Sequence, residues 1–347
     1  MSLKNLSVKT KIPKLLKNKL NNKKIIEIYN KFEKSLDLKE NYAVAVSGGP
    51  DSLALAFLAK IYSIKKKLNP IFLIVDHKLR SDSTNEAIKV KRLLKKNLIS
   101  SEILTWKGKK PKKNIQSHAR MKRFEMIYKR CDNLKINNIL LGHHQDDLIE
   151  NFFMRMVRGS GLKGLTSLDI KTNINKKNLL RPLLYQKKSD LVFLSGKVYN
   201  FYVEDPTNKD EKYQRARIRR LLSELEKEGL DKKKIYQTLK NLKNSNDVVN
   251  FYVKENVYKN TFFLEKNNKL ILNKFFFDQP YEIVLRSLSE SLKLVGRKYH
   301  PIRGKKLDRI IKDYEKNQSF RVTLGGCIIE KVNQTVIILK EHPKNYQ

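Results

Sequence analysis

The chain has 347 residues, of which 40% are hydrophobic and 31% charged, a length that suits two domains with separate cores. Its formal net charge of +39 indicates a polyanionic partner, for which we expect nucleic acid, although an AT-rich genome would also enrich lysine. The two cysteines lie far apart and exclude a disulfide scaffold or a four-cysteine metal site, and no apolar run is long enough to span a membrane.

The N-terminal segment is basic, and we predict that residues 1–40 form an appendage to the domain that follows. Met1–Lys24 is rich in lysine but has no apolar core, so it is not a secretory signal, and we expect a cytoplasmic protein. Ile25–Phe32 has the apolar spacing of one amphipathic helix, which would pack on the next domain.

From Tyr42 onward, short apolar strands alternate with helices. We predict strands at Tyr42–Val46, Pro70–Asp76, Glu102–Trp106 and Asn138–Gly142, and helices at Asp51–Lys65, Thr84–Asn97 with Ser83 as its cap, Ile115–Cys131 and Asp146–Arg158. Repeated βα units predict an α/β fold, a doubly wound and mostly parallel sheet with helices on both faces. Ligands of such a sheet bind beyond the carboxyl ends of its strands.

The remainder of the chain is predicted to be mainly helical. Residues 159–211 have the pattern of loops around one helix near Lys188–Val198, and Tyr213–Leu242 has that of a long basic helix or a pair of helices. Further helices are predicted at Ile283–Leu294 and Lys306–Tyr314, followed by a small β-meander over residues 320–339. We therefore predict an α/β domain at residues 41–215 and a helical domain at residues 216–347 that ends in short strands.

The loop after the first strand is the strongest candidate for a phosphate-binding site. Residues 47–52 read Ser-Gly-Gly-Pro-Asp-Ser, and a glycine pair between a strand and a helix lets backbone N–H groups converge on an anion. Ser47 and Ser52 can add hydroxyl donors, and Asp51 can hold a magnesium ion beside the phosphates. No Gly-Lys-Ser/Thr closes the loop, so it is not a Walker A sequence, and a plain surface turn is the alternative.

Two other segments carry polar groups that suit a nucleotide or an anion. Asp76, at the end of the second strand, can accept a hydrogen bond from a ribose, and His77 and Arg80 can contact phosphate, although an ordinary polar strand end has the same pattern. Arg120 and Arg123 share one helix face and suit a carboxylate or phosphate, with a solvated basic face as the alternative.

A polar cluster follows the fourth strand. His143, His144 and Asp146 lead into a helix, on which Asp147 and Glu150 lie three residues apart. The last two carboxylates can bind a substrate ammonium or a magnesium ion, and zinc is the rival ligand because histidine and aspartate also bind zinc. A purely structural role is disfavoured, since buried charges need partners.

Two basic segments are candidates for nucleic-acid contacts. Arg155–Gly164 is a glycine-rich basic loop, which would otherwise be a flexible connection. A second segment, Glu204–Arg220, places an acidic turn before a cluster of four arginines. Arginines clustered in this way suit the phosphates of an RNA backbone.

Together these segments resemble the tRNA(Ile)-lysidine synthetase family of N-type ATP pyrophosphatases. The resemblance rests on motifs in the family's order at Ser47–Ser52, Asp76–Arg80, Ala119–Phe124, Leu141–Glu150, Arg158–Leu165, Arg181–Leu184 and Asp205–Asn208. Phe124 replaces the usual tyrosine, and Leu148 and Asn151 replace a frequent glutamine and threonine. We also expect the larger C-terminal extension of some relatives to be absent or reduced.

The resemblance implies an adenine nucleotide alpha hydrolase-like fold and a ligase reaction in two steps. The C2 oxygen of the wobble cytidine in an isoleucine tRNA with a CAU anticodon attacks the α-phosphate of ATP, and pyrophosphate leaves. The ε-amino group of free L-lysine then displaces AMP and leaves lysidine. The reaction uses ATP as a substrate and Mg²⁺ as a cofactor, and it needs no membrane; a homodimer is compatible with the sequence.

The resemblance also implies roles for individual residues. The ATP-binding residues would be Ser47, Gly48, Gly49, Pro50, Asp51, Ser52 and Asp76. The catalytic residues would be Asp51, which also holds magnesium, His143, His144 and Asp146. Lysine would bind Arg123, Asp147 and Glu150. The tRNA would contact Arg158, Lys163, Arg215, Arg217, Arg219 and Arg220, with the helical domain as the main tRNA-binding part.

Three other functions compete with this interpretation. A tRNA 2-thiocytidine synthetase of the same superfamily is disfavoured because the chain lacks paired cysteines. An amide-forming ligase would need ammonia from a separate partner. A non-catalytic RNA-binding protein with a degenerate nucleotide fold is disfavoured by the intact Asp51 and the intact Asp146–Asp147 pair.

Overall fold

The computed structural model describes residues 12–108, 115–174, 176–203, 211–265, 268–297, 302, 304–316 and 319–341. The chain divides into two compact units, Met1–Leu239 and Lys240–Gln347. The functional division into an appendage, a catalytic domain and a tRNA-binding domain stays a prediction. In the part of the chain that the structure describes, no helix is both long enough and apolar enough to cross a membrane.

Two N-terminal helices open the first unit, α1 at Lys14–Leu20 and α2 at Lys23–Lys34. The amphipathic helix predicted over Ile25–Phe32 is therefore present. The side chain of Asn22 caps α2 by accepting hydrogen bonds from the backbone N–H groups of its first turn. The apolar face of both helices joins the main core, where Phe32 meets Tyr62 edge to face with ring centroids 6.1 Å apart.

A six-stranded sheet forms the centre of the first unit. Its strands are β1 Tyr42–Val46, β2 Ile71–Asp76, β3 Ser101–Thr105, β4 Asn138–Leu140, β5 Lys171–Ile174 and β6 Lys177–Leu180, in the spatial order β3-β2-β1-β4-β6-β5. Neighbouring strands are parallel except β5, which pairs antiparallel with β6 at one edge. The predicted doubly wound, mostly parallel sheet is confirmed.

The strands β5 and β6 lie where the sequence predicts loops. The strand β6 is short and begins with Lys177, which is only 4% exposed and hides the apolar pattern of the strand. The ammonium group of Lys177 donates a 2.8 Å hydrogen bond to the carbonyl of Ile136 and lies 2.6 Å from a carboxylate oxygen of Asp132. These partners allow a charged residue to occupy a buried strand position.

The helices of the first unit cover both faces of the sheet. They are α3 Pro50–Lys66, α4 Ser83–Lys96, α5 Ile115–Asn133, α6 Gln145–Met156, α7 Leu162–Leu165, α8 Lys188–Tyr199 and α9 Gln214–Lys227. The helix α3 is buried along most of its length because the sheet, α2 and α8 all pack against it. Each of its fully buried large apolar side chains contributes about 1.5–3 kcal/mol relative to exposure.

The predicted cap at Ser83 is wrong. Ser83 is the first residue of α4, and its hydroxyl donates a 2.8 Å hydrogen bond to Asp76 rather than capping the helix backbone. A serine beside a buried carboxylate satisfies that charge before it satisfies a helix end, since the unpaired charge would cost more free energy.

The second unit combines helices with an antiparallel sheet. Its elements are α10 Lys232–Asn260, which begins in the first unit, β7 Thr261–Leu264, β8 Lys269–Leu272, α11 Tyr281–Gly296, α12 Gly304–Lys316, β9 Phe320–Leu324, β10 Cys327–Val332 and β11 Thr335–Lys340. The predicted β-meander is confirmed as β9 to β11. The strands β8 and β7 extend it to a five-stranded sheet of order β7-β8-β11-β10-β9, against which α11 packs.

The strand order of the first sheet fixes where its ligands bind. The chain moves outward on one side of β1 through β2 and β3, and returns to the other side of β1 as β4. The loops after β1 and β4 therefore diverge and leave a crevice at the carboxyl ends of these two strands. The loop Ser47–Ser52 follows β1, and the cluster from His143 to Glu150 follows β4.

Candidate active site

The loop after β1 is folded around one hydroxyl group. The backbone N–H groups of Ser47 and Gly48 each donate a 3.1 Å hydrogen bond to Oγ of Ser52, which donates in turn to the carbonyl of Gly49 at 3.0 Å. Ser52 is 6% exposed, so its hydroxyl shapes the loop from within. Gly49 is the N-cap residue of α3 and Pro50 its first residue, which aims the positive end of the helix dipole at the loop.

Gly48 is required by its backbone conformation and by its neighbours. Its φ is +87°, and a Cβ at this position would lie 2.6 Å from Cγ2 of Val90 and 3.1 Å from Cγ2 of Val203. Its carbonyl accepts a 2.9 Å hydrogen bond from the backbone N–H of Val203. Any side chain would displace the loop, because both the positive φ and the space favour glycine.

Asp51 presents an unpaired carboxylate oxygen beside this helix end. Its Oδ1 is buried without a hydrogen-bond partner among the described residues, and its Oδ2 lies 3.5 Å from Nε2 of His144. A buried carboxylate oxygen without a donor suits a cation. The described residues contain no group of three or more histidine, cysteine or acidic side chains able to hold a metal.

The end of β4 packs directly on the start of α3. A Cβ on Gly142 would lie 3.2 Å from backbone atoms of Asp51 and Ser52, so glycine permits the close approach. His144 caps α6 in two ways. Its ring Nδ1 accepts a 3.2 Å hydrogen bond from the backbone N–H of Asp146, and its backbone N–H donates a 2.9 Å hydrogen bond to Oδ2 of Asp147. The neutral ring then carries its proton on Nε2, on the side of Asp51 and Asp147.

The two histidines have opposite environments. Burial opposes a charge on His144, but Asp51, Asp147 and Asp146 outweigh it and raise its pKa above the ordinary value. Burial lowers the pKa of His143 well below its ordinary range. Asp147 opposes this shift, and nearby arginines add to it. The Nδ1 atom of His143 is buried and has no hydrogen-bond partner among the described residues. His143 is thus a neutral ring with an unpaired nitrogen, which suits a hydrogen-bond acceptor for a substrate N–H, while the depressed pKa makes it a weak base.

A cluster of arginines, called the arginine wall below, lies near the acidic residues and consists of Arg120, Arg123 and Arg181. Burial, together with the charges of Arg120 and Arg215, lowers the pKa of Arg123 to about 10, so like charges lie near this side chain. Arg181, at the end of β6, is 5% exposed and donates to the carbonyl of Asp169 at 2.7 Å and to Oγ1 of Thr172 at 2.9 Å. An anion among these guanidinium groups would relieve their mutual repulsion.

Arg181 is a residue of the site for which the sequence predicts no individual role. Arg181 belongs to the quoted Arg-Pro-Leu-Leu motif, but the strand β6 that brings it to the site was not recognised. Arg120 was recognised as the helix-face neighbour of Arg123, and the structure brings it within the electrostatic reach of Asp147 and Arg215.

The predicted lysine-binding acids already have cationic partners. Glu150 is 3% exposed, and Arg219 donates to its Oε1 from Nε at 2.6 Å and to its Oε2 from Nη2 at 3.3 Å. Arg215 lies with Nε 3.1 Å from Oε2 of Glu150 and Nη2 3.8 Å from Oδ1 of Asp147. Burial raises the pKa of Asp147, but His144, His143 and Arg215 outweigh it and hold the pKa below its ordinary value.

The other predicted tRNA contacts lie on the surface of the first unit. Arg217 and Arg220 are exposed on α9, where Arg217 donates to the carbonyls of Glu211 and Lys212 and Arg220 pairs with the carboxylate of Glu211 at 2.7 Å. Arg158 is exposed in the turn after α6, and Lys163 is exposed on the short helix α7. The four arginines of α9 are therefore split, with 215 and 219 toward α6 and 217 and 220 outward, because residues four apart share a helix face.

Asp76 is engaged within its own loop. It is 2% exposed and accepts hydrogen bonds from the backbone N–H of Lys78 at 3.0 Å and the hydroxyls of Ser83 and Thr84 at 2.8 and 2.7 Å. Burial raises its pKa, but these hydrogen bonds outweigh burial and lower it. These contacts shape the loop before α4, and a role in ATP binding stays a prediction. The predicted motif Asp205–Asn208 lies outside the described residues.

The chain is similar to known proteins over most of its length. Residues 17–226 match the family model described as PP-loop domain. A tRNA(Ile)-lysidine synthase of Wolbachia sp. subsp. Brugia malayi is 33% identical over 315 residues, which cover 87% of this chain and 71% of that protein. A second, from Orientia tsutsugamushi, is 33% identical over 92% of this chain and 73% of its own. The solved U34-tRNA thiolase of Methanococcus maripaludis shares the fold, with a TM-score of 0.54 and 19% identity over 64% of this chain and 78% of its own.

Replacing Gly48 by alanine should weaken nucleotide binding at least about tenfold, because the new Cβ forces the loop away from Val90 and Val203. Titration calorimetry with ATP measures the effect. Gly196→Ala is the matched control, since a Cβ there meets no atom within 4 Å and alanine suits the interior of α8. Equal ATP affinity in both variants would contradict the assigned role of the loop.

His77 should make the first unit less stable in acid. Burial lowers its pKa from 6.5 to about 4, Arg123 adds to this and Asp76 opposes it. Because the folded pKa is depressed, the neutral ring contributes stability that is full above pH 6.5 and is lost as pH falls toward 4. His77→Gln should therefore lose less stability than the parent between these pH values.

Urea unfolding followed by the fluorescence of Trp106, the one tryptophan of the chain, measures this difference in the first unit. The parent and the variant should diverge progressively below pH 6.5 and run parallel above it. The same loss of unfolding free energy in both proteins across the window would show that His77 is not held neutral.

Proposed function

The chain belongs to the tRNA(Ile)-lysidine synthase family of PP-loop proteins, and from this membership we infer that it ligates free lysine to the wobble cytidine of an isoleucine tRNA with a CAU anticodon. The observation that carries the proposal is the meeting, at one sheet edge, of a phosphate-binding loop with a buried pair of carboxylates. A tRNA substrate also agrees with the net charge of +39. We further propose that the protein acts in the cytoplasm, where its tRNA substrate is found.

The phosphate side of the site supports the first step. The C2 oxygen of the cytidine attacks the α-phosphate of ATP, and pyrophosphate leaves. Negative charge grows on the phosphates during this step, and the N-terminus of α3 together with the Ser47–Ser52 loop offers fixed dipoles to stabilise it. Asp51 would hold Mg²⁺, which neutralises phosphate charge when bound.

The acidic side of the site supports recognition of lysine. The amino acid carries ammonium groups and a carboxylate, so it needs both signs of charge within a few ångströms. We assign an ammonium group of lysine to Asp147 and Glu150, both less than a tenth exposed. We assign the carboxylate of lysine to Arg123, because Arg120 and Arg215 add further positive charge near this guanidinium group.

The second step needs the lysine ε-amino group to lose a proton before or as it attacks the adenylated cytidine. His143 can accept a hydrogen bond from that amine through its Nδ1, which is unpaired among the described residues, and can so orient it. Its depressed pKa makes the ring a weak base, so the proton passes on to solvent. His144 is tied into the cap of α6 and faces Asp51, so we assign it the orientation of that carboxylate. The attack forms the C–N bond, and AMP leaves with the C2 oxygen.

The outward basic residues are proposed to hold the tRNA. Arg158, Lys163, Arg217 and Arg220 are exposed on the first unit, and the second unit is proposed to extend the contact. Arginine and lysine side chains of this kind bind backbone phosphates and position the RNA without reading its sequence. An unstacked wobble base could then enter the crevice.

Sulfur transfer is the alternative within the superfamily, and the cysteines argue against it. Cys131 and Cys327 are both buried, and they belong to different units. Burial raises the pKa of Cys131 to about 11, which keeps its thiol protonated. Sulfur carriers need an accessible thiolate, so neither cysteine has the required environment.

The proposal is tested with purified protein, ATP, magnesium, radiolabelled lysine and transcripts of isoleucine tRNA and methionine tRNA, both with a CAU anticodon. Lysine should be incorporated into the isoleucine transcript alone. Incorporation into neither transcript, by folded protein that binds tRNA, would reject lysidine synthesis and favour another adenylating tRNA enzyme.

Replacing Asp51 by asparagine should reduce lysine incorporation at least about a hundredfold, because the carboxylate charge beside the phosphates is removed. Asp190→Asn serves as a control of equal chemistry. It breaks the 2.9 Å ion pair with Lys24, away from the crevice, and should retain activity. Similar rates for the two variants would remove Asp51 from the reaction.

A further inference from the structure

The carboxylate that the proposed function gives to the substrate ammonium is held by a side chain of the protein. Arg219 engages both oxygens of Glu150, at 2.6 and 3.3 Å, in a forked arrangement. Glu150 is 3% exposed, whereas the side chain of Arg219 is 31% exposed, so the carboxylate is buried and its partner reaches the solvent. A guanidinium group presents the same charge and the same N–H donors to this carboxylate as an ammonium substrate would.

The charges of the cluster leave little room for another cation. Two carboxylates, Asp147 and Glu150, face two guanidinium groups, Arg215 and Arg219. One oxygen of Asp147 is also occupied by the backbone N–H of His144 at 2.9 Å. Among the described residues, an ammonium group added to this cluster would place three cations on two buried carboxylates, so it binds most favourably by displacing one of the guanidinium groups.

The two arginines hold the acids with unequal strength. Arg215 is close to Glu150 and Asp147, but its Nε is not aligned to donate a hydrogen bond. Arg219 donates two hydrogen bonds to Glu150 and is the tighter partner. A lysine substrate must therefore compete chiefly with Arg219.

The same helix carries the residues proposed to meet tRNA. Arg217 and Arg220 lie on the exposed side of α9, within two residues of Arg219. A polyanion that binds Arg217 and Arg220 therefore contacts the same helix whose Arg219 pairs with Glu150. A small shift of α9 is enough to separate a forked pair, because its hydrogen bonds depend on both distance and direction.

We propose that Arg219 is an internal competitor of the lysine substrate, a latch that keeps Glu150 occupied until tRNA binds α9. The latch rests on the proposed function, since it assumes that Glu150 binds lysine. The latch predicts that lysine binds after the tRNA. The apparent affinity for lysine then falls by the fraction of molecules in which the latch is open, so a latch open in about one molecule in ten weakens binding about tenfold.

The test measures binding of radiolabelled lysine by equilibrium dialysis, without ATP, for the full chain alone and with the isoleucine tRNA transcript. The parent should bind lysine at least about tenfold more tightly when the tRNA is present. Arg219→Met should bind lysine without tRNA about as tightly as the parent does with it. Arg219→Lys keeps the charge but loses the fork, so its lysine affinity should lie between the two.

Arg130→Met is the matched control. It removes an arginine–glutamate pair of similar length, in which Nε of Arg130 lies 2.8 Å from Glu102, at a site outside the proposed machinery. Its lysine affinity should equal that of the parent. Thermal unfolding verifies that each variant is folded. If Arg219→Met does not fold, Arg219→Lys decides, and lysine affinity equal to or weaker than the parent's overturns the latch.

Unchanged or weaker lysine binding by folded Arg219→Met would show that Arg219 supports Glu150 instead of competing for it. This failure differs from failure of the proposed function. If the parent incorporates lysine with ATP and tRNA, but loss of Arg219 does not tighten lysine binding, the latch alone is rejected. If the parent neither binds nor incorporates lysine, the function is rejected, and the latch with it.

Discussion

The close approach of two helix N-termini is the constraint on which the site depends. The strand order reverses between β1 and β4, and the residues after β4 pack so closely on the start of α3 that a Cβ on Gly142 would lie 3.2 Å from its backbone. His144 then caps α6 while its ring faces Asp51. Two positive helix ends thereby share one crevice, which suits a polyphosphate and ionised carboxylates at once.

This proximity explains how the crevice can carry several charged side chains at once. Each carboxylate is balanced by a helix end, a histidine or an arginine, as Asp147 is by the cap of α6 and Glu150 by Arg219. Among the described residues, Arg123 itself has mainly cationic neighbours, Arg120 and Arg215, and this part of the site carries excess positive charge. The site is thus divided into a half that suits anions and an acidic half whose carboxylates can exchange one cationic partner for another, as the proposed reaction between ATP and an amino acid requires.

Much of the catalytic unit was predictable from the sequence, because its signals are local. The apolar runs of β1 to β4 and the glycine loop after β1 gave the parallel sheet and the edge where ligands bind. The strands β5 and β6 were missed because Lys177 occupies a buried position that only its partners explain. The pairing of Arg219 with Glu150 joins residues 69 positions apart, and helical spacing could show that Arg215 and Arg219 share a face but not which acids they meet. The cap predicted at Ser83 failed for a related reason, since Asp76 competes for that hydroxyl.

The central claim is that the two halves of the crevice perform separable steps, adenylation on the phosphate side and lysine capture on the acidic side. Exchange of labelled pyrophosphate into ATP, with tRNA present and lysine absent, reports the first step alone. The account predicts that Glu150→Gln retains this exchange near the parent rate while losing lysine incorporation, because Glu150 faces the amino acid and not the phosphates. Equal loss of exchange and incorporation would contradict the division and make the acidic pair part of the adenylation machinery.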